Sequence, residues 1–375
     1  MGLALLCWLA SGNFKFRWQC VHHNPMTLPS LLMFGVVLLG SLYSSAPSHD
    51  IWQHINKYSK FLYLLLAITL LQEEEWRHRC WTAFTAAMLV TLASVYANIW
   101  FDLPWSNTHN DGWGVDHSVF NHHIPQELMM SFFVMMSLQN ALAAKRRLHR
   151  WMWSSIALLA MLNVTHLSIG RTGYLALFCS LLAFGFFHVR SRTRWFIATG
   201  AVLVMALLAV TSTQMQERIQ LGVNEVRNHD KEEITSLGAR VKMWDFSLKQ
   251  IQAHPFIGGG TGSYHTLANE AFDSAWCGIV CFHPHNQFLF FGVEHGLLGI
   301  FAYAFYLYRP ARFGLNQKPP LRPLLLSFLS ILLVDSMTHG PMWLSVENHF
   351  FTFIMALLMA TAKIDGHGQA GQREK

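Results

Sequence analysis

Charge is scarce in this chain. Only 13% of its 375 residues are Asp, Glu, Lys or Arg, against about 25% in a soluble domain, so it lacks the surface of an ordinary cytosolic enzyme. Hydrophobic residues make up 52%, and the mean hydropathy of +0.27 excludes a disordered chain and points to a polytopic membrane protein. A formal charge of +6 would suggest nucleic acid only if the basic residues shared one soluble face. They fall instead in short blocks between apolar runs, so no nucleic-acid partner is expected.

Several motifs are missing. There is no Walker A lysine motif and no dinucleotide fingerprint: Gly258-Gly259-Gly260-Thr261-Gly262 follows a helix break rather than a strand and precedes no GK[ST], which makes it a turn or close-packing element. Among 21 histidines no HExxH occurs, and no paired CxxC accompanies them; only His283-Pro284-His285 approaches ligand spacing. No metal and no cofactor is expected, and His117, His122 and His123 read as loop histidines at a membrane surface. No internal repeat or low-complexity tract is present. The first eleven residues are apolar without a basic n-region before them or a small-residue cleavage site after them, which suits a truncated first helix better than a signal peptide. Of six cysteines, at 7, 20, 80, 179, 277 and 281, only the last two fall in an outside loop. A local bridge and two packed thiols both fit there, and such a small loop adds little stability.

What the chain does have is apolar runs near the ~20 residues that cross a bilayer, at about 27–45, 53–72, 79–99, 124–143, 151–168, 173–188, 194–211, 286–308, 321–336 and 347–362. The expected fold class is an all-α polytopic integral membrane protein with about ten to twelve transmembrane helices and one large loop. Basic residues mark alternate connections, among them Arg77 and Arg79, Lys145 to Arg150, Arg190 to Arg194, Arg309 to Arg322, and Lys363, Arg373 and Lys375. By the positive-inside rule these are cytoplasmic, which leaves 46–52, 100–123, 168–172, 212–285 and 337–346 outside. Three regions follow: 1–211 of N-terminal transmembrane helices, 212–285 as a partly helical loop, and 286–375 of C-terminal helices with a short cytoplasmic tail.

The loop at 212–285 is the sole large hydrophilic insertion, and function belongs there by default. Its sequence predicts an amphipathic helix from about Ile234 to Gln252, with Leu237, Val241, Trp244, Leu248 and Ile251 on one face and a break at His254-Pro255. Three residues bring charge or base chemistry to the outer face. Arg171 lies in Ser168-Ile169-Gly170-Arg171-Thr172-Gly173, a tight turn between apolar helices. An unpaired guanidinium costs about 2.5–3.5 kcal/mol at the membrane centre and less at its edge, so an Arg held there calls for an anionic partner. Arg240, taken alone, is a solvated helix residue. His285 opens a new helix at the lipid-water boundary and, alone, is as much an interface residue as a base. Together the three match one reaction class. A lipid-diphosphate sugar is already activated, so its transfer needs no ATP, only cations for the departing diphosphate and a base for the incoming hydroxyl.

At these residues the chain resembles the O-antigen ligase and O-antigen polymerase superfamily of bacterial envelope glycosyltransferases. The pieces are Gly170-Arg171-Thr172-Gly173; Arg240 with Trp244 four later; His254-Pro255-Phe256-Ile257-Gly258 with Gly260 and Gly262; and His285-Asn286-Gln287-Phe288-Leu289. His285-Asn286, nine residues, Gly296, two residues and Gly299 look like the ligase form. The resemblance implies a GT-C-like helical architecture in the bacterial inner membrane with its active site facing the periplasm. It also implies an inverting, metal- and ATP-independent transfer of a glycan from undecaprenyl diphosphate to a lipid A-core sugar. Carried over, Arg171 and Arg240 hold the diphosphate and His285 activates the acceptor hydroxyl or positions it. Asn286, Glu294 and Asp335 are weaker candidates for positioning substrate: helix capping explains Asn286 equally well, pairing with a nearby His or Arg would explain Glu294, and Asp335, which could orient His285 or pair with an Arg, reads first as a plain boundary residue. Lys242 and Lys249 would widen a cationic surface or line a solvated helix face. A polymerase is the first rival within the same class, and a protein O-oligosaccharyltransferase the second. A transporter is the rival outside it, disfavoured because the polar residues gather in one loop rather than at mid-membrane.

Overall fold

The computed structural model describes residues 6, 8–10, 12, 14–189, 192–227 and 235–361. Cys7, Arg190, Ile234, Lys363, Arg373 and Lys375 lie outside the described residues. Those described form helices and turns without a strand. Long runs of Leu, Phe, Met and Ala give helices because apolar surroundings offer no water to backbone amides and carbonyls, which then pair within the segment.

Every apolar run of the sequence falls on a helix or helix pair: Thr27–Ser41, Ser48–Tyr58 with Lys60–Leu70, Glu74–Ala97, His123–Ala143, Arg147–His166, Arg171–His188, Thr193–Thr211, Gln287–Asn316, Leu321–Thr338 and Ser345–Ala360. Four of them, Glu74–Ala97, Thr193–Thr211, Gln287–Asn316 and Leu321–Thr338, are long and apolar enough to cross a membrane, and Phe14–His23 with Thr27–Ser41 passes as a pair bent by 88°. The run at 53–72 is divided at Ser59, because His49, Asp50, His54 and Lys57 make its first helix amphipathic. Leu321–Thr338 is the central helix and packs on both Arg171–His188 and Gln287–Asn316. Phe328 on it meets Phe132 at 5.4 Å between ring centroids and Phe351 at 5.6 Å. Thr193–Thr211 lies at the periphery, where Phe196, Leu203, Leu207 and Val210 are 64–80% exposed, a surface suited to lipid rather than water.

The two ends of the bundle differ in chemistry. At the basic end Arg322 Nε donates to the Phe187 carbonyl at 2.6 Å, fastening the connection before Thr193–Thr211 to that before Leu321–Thr338. At the other end Ser44 Oγ donates to the Thr261 carbonyl at 2.8 Å, the His117 amide to Leu167 at 3.0 Å, and the Met342 amide to Gln287 Oε1 at 2.9 Å. Each of these bonds fastens a segment read as outside to the end of a helix.

The loop helix runs Ser236–Ala253, with the Thr235 side chain accepting the Gly238 amide at its N-terminus. Its buried face is Ala239, Met243, Phe246 and Ser247, whereas Val241 and Leu248 are exposed. The face expected from hydropathy is corrected at Val241 and Leu248, while Trp244 and Ile251 do pack against the core. The most deeply buried stripe is the one where Phe246 meets Tyr264 at 5.8 Å and Phe272 at 5.3 Å. Cys277 and Cys281 are joined in a disulfide.

Helix Gln287–Asn316 is broken at Gly296, whose φ of 60° and ψ of −152° are not helical. The glycine-rich turn fills the break. Amides of Gly259 and Gly260 donate to the carbonyls of Val293 and Glu294 at 2.9 and 2.8 Å, while amides of Leu297 and Leu298 donate to Pro255 and Phe256 at 2.7 and 3.2 Å. Backbone groups freed by the break are thus paired again, as a low-dielectric interior requires. A Cβ at Gly258 would lie 2.5 Å from backbone atoms of the broken helix, and Gly258 itself has a φ of 67°, so only glycine passes there.

Candidate active site

Arg171 opens its helix directly after Gly170, and the turn before it is clamped by Glu127, a fully enclosed carboxylate that sequence reasoning missed. The Gly170 amide donates to Glu127 Oε1 at 2.7 Å, and the Ser168 hydroxyl donates to the same oxygen. A Cβ at Gly170 or Gly173 would fall 2.0 or 2.2 Å from Glu127 Oε2, which accounts for the glycines on either side of Arg171-Thr172. The guanidinium points across to Glu225, donating from Nη1 and Nη2 at 3.1 and 3.2 Å. This fork-on-carboxylate pairing is the geometry Arg also uses for phosphate. Glu225 Oε2 accepts the Leu237 amide too, at 3.2 Å, which ties the arginine to the start of the loop helix. The anionic partner that Arg171 called for is thus supplied within the chain.

One turn further along that helix, Arg240 is half-buried and shares with His285 a cavity of about 290 Å³, lined also by Thr235, Ser236, Ala239, Met243 and Ile279. Burial pulls the Arg240 guanidinium below its usual range, and the neighbouring charge of Arg171 adds to this; Glu225 and Asp335 act in the opposite sense. Arg171, Arg240 and His285 are therefore electrostatic neighbours, although only the last two share the cavity.

His285 is held in a left-handed conformation, φ 49°, the one such non-glycine residue among those described, at a cost of about 1–3 kcal/mol for a residue of this kind. Trp244 Nε1 donates to the Pro284 carbonyl at 3.0 Å, and Asn286 caps the next helix by accepting the Leu289 amide at 3.1 Å while its Nδ2 donates to Met337 at 3.3 Å. Asn286 therefore acts as a cap that fixes the backbone beside His285. Burial, then the nearby His283, His339 and Arg240, lower the His285 imidazole to about 2. Burial lowers His283 to about 3, helped by His339, Lys57 and Arg240. Both rings are neutral at ordinary pH.

Asp335 is fully enclosed in the central helix and lies 3.8 Å from His339 Nδ1, which is also 3.2 Å from Glu347 Oε1. Its nearest histidine is thus His339, with the His339 ring in turn 5.0 Å from that of His285. Glu294 belongs to a different cluster. It pairs with His54 at 3.1 Å and accepts the Gly262 amide at 3.1 Å, so it braces the helix break. Lys242 stacks over Trp276 at 3.6 Å and Lys249 pairs with Asp245 at 2.6 Å; neither lines the cavity. His339 and Glu225 were not legible because nothing local distinguishes them from other loop residues.

The fold and site define a helical membrane protein with its polar chemistry at one end of the bundle: two arginines, a strained neutral histidine, and no strand or nucleotide cradle among the described residues. Residues 156–304 match the family model described as O-antigen ligase. That stretch, which holds Arg171, Arg240 and His285, is similar to the O-antigen ligase family over those residues. No curated protein matches the chain.

Proposed function

We propose that this protein is an O-antigen ligase of the bacterial inner membrane, with ten to twelve crossings, a GT-C-like architecture and its site facing the periplasm. It transfers a glycan from undecaprenyl diphosphate to a lipid A-core hydroxyl without metal or ATP. The observation that carries this reading is the shared cavity of Arg240 and His285, with Arg171 in electrostatic reach, inside the segment matched by the family model. Arg171 and Arg240 hold the diphosphate; the donor displaces Glu225 from the Arg171 fork. The acceptor oxygen bonds to the anomeric carbon from the face opposite the diphosphate, which leaves with the bonding electron pair, and His285 takes the hydroxyl proton. An imidazole depressed to about 2 is a weak base by itself. The diphosphate's negative charge raises it, so the base becomes competent only with donor in place. Asp335 supports this arrangement through His339.

The test is purified protein with undecaprenyl-diphosphate-linked glycan and lipid A-core, in EDTA and without nucleotide. A shifted product that requires the core is expected. Longer lipid-linked chains with the core untouched would make the protein a polymerase, and no product from folded protein would overturn the reading.

A further inference from the structure

Three imidazoles from two distant parts of the sequence meet beside the cavity. His283 and His285 flank Pro284 in the turn before the broken helix, and His339 caps the central helix. One ring nitrogen of each lies within 4.8 Å of the other two, and the rings are 4.2, 5.0 and 5.6 Å apart by centroid. His283 and His339 are each 8% exposed, and the Nδ1 atom of His285 is buried with no hydrogen-bond partner among the described residues. The His285 amide donates to His283 Nδ1 at 3.2 Å, a long bond with which an ion at that nitrogen would compete.

Carboxylates stand behind the cluster. Glu347 Oε1 is 3.2 Å and Asp335 Oδ1 3.8 Å from His339 Nδ1, the outer-shell arrangement that orients a ligating imidazole. Lys57 and Arg240 act against a cation there, and the two carboxylates offset them. A set of three imidazole nitrogens suits zinc-class ions, whereas magnesium and calcium require oxygen ligands.

We propose that His283, His285 and His339 form an inhibitory site for a divalent ion of the zinc class, which occupies the His285 lone pair and so stops transfer. The inhibitory part rests on His285 being the base; the binding part does not. Zinc thereby opposes the reaction rather than serving it, and three protein ligands leave a fourth position for water or a phosphate oxygen.

The full-length protein, stripped with EDTA and held in detergent, is titrated with Zn²⁺ by calorimetry and with Co²⁺ by absorption. One tight ion per chain is expected, with the intense visible bands of four-coordinate cobalt. His283→Ala and His339→Ala should each weaken binding beyond the about 10–100-fold typical of outer-shell changes, and Glu347→Gln by about tenfold; His122→Ala should not alter it. Gel filtration checks folding, and His339→Asn replaces the alanine variant if that one does not fold. In the transfer assay, saturating Zn²⁺ should lower the wild-type rate at least tenfold, reversibly with EDTA. In His339→Ala the ratio of rates with and without zinc should approach one. Binding that persists in both alanine variants overturns the site. Loss of binding in the variants without inhibition of an active wild type overturns the inhibitory role and the base assignment while leaving the site in place. A wild type that binds zinc and transfers nothing in EDTA overturns the proposed function alone.

Discussion

Arg171 owes its position to a carboxylate 44 places earlier in the chain, at Glu127, which receives the Gly170 amide and the Ser168 hydroxyl. The glycines beside Arg171 were legible as a motif, but the reason for them was not, because the collision they avoid is with a residue on another helix. His285 was legible because it follows Pro284 at a helix start, whereas its left-handed backbone and its neighbour His339 come from tertiary packing. Replacing His285 by Ala should lower transfer by about 10²–10⁴-fold, the usual worth of a positioned base, with unchanged yield and elution of folded protein. Arg171→Lys should also fail to transfer, since a point charge cannot reproduce the two-pronged contact now made with Glu225. Wild-type rates at matched expression would remove either assignment. The buried histidines also set a pH dependence of stability. His283 and His285 are held at about 3 and about 2 against an ordinary 6.5, so between these values the unfolded chain binds protons that the folded chain does not. Their contribution to stability is complete above about 6.5 and declines as pH falls. Thermal unfolding of the double variant His283→Asn/His285→Asn should therefore lose less between pH 7 and 4.5 than that of wild type. Equal losses would contradict the burial argument.

At the scale of elements, the break in helix Gln287–Asn316 was invisible to hydropathy, because Gly296 sits in an apolar run that would suit a continuous helix. The glycine-rich turn was readable as a close-packing element; its partner was not. Ala at Gly258 or Gly296 meets backbone within 2.5 Å in a positive-φ conformation, where an L residue costs about 1–2 kcal/mol even before the clash. Both variants should unfold at lower temperature than wild type and lose transfer, although neither residue touches the cavity. Gly278→Ala, with open space around it, is the control. The loop helix carries a related lesson. Its existence and its end at His254 were legible from periodicity and Pro255, but its buried face was legible only in part: Trp244 and Ile251 pack inward, whereas the deepest contacts, of Phe246 with Tyr264 and Phe272, come from tertiary packing.

For the whole molecule, the apolar runs were legible as helices, and the alternation of basic residues with those runs gives an expected sidedness for the connections. The number of crossings is less legible: helices such as Ser48–Tyr58 and Ser345–Ala360 are short or carry charge, and length alone does not assign them. Single cysteines in a background lacking the native six settle the sidedness. Substitutions at Trp105 and His254 should react with an impermeant maleimide added to intact cells without their outer membrane, and substitutions at Arg147 and Lys318 only after the inner membrane is opened. Labelling of all four from one side would overturn the topology.

The exchange of hydrogen bonds between the glycine-rich turn and the broken helix has a mechanical side. The turn is the continuation of the helix bearing Arg240, and the outer half of the broken helix begins right after His285. Stitched together at four backbone positions, these two pieces place Arg240 and His285 on one hydrogen-bonded framework. Arg171 stands on a different helix and is linked to that framework through the Glu225 ion pair. On the proposed reading, a donor that takes the Arg171 fork must first break this ion pair, so Glu225 is the tie that has to yield.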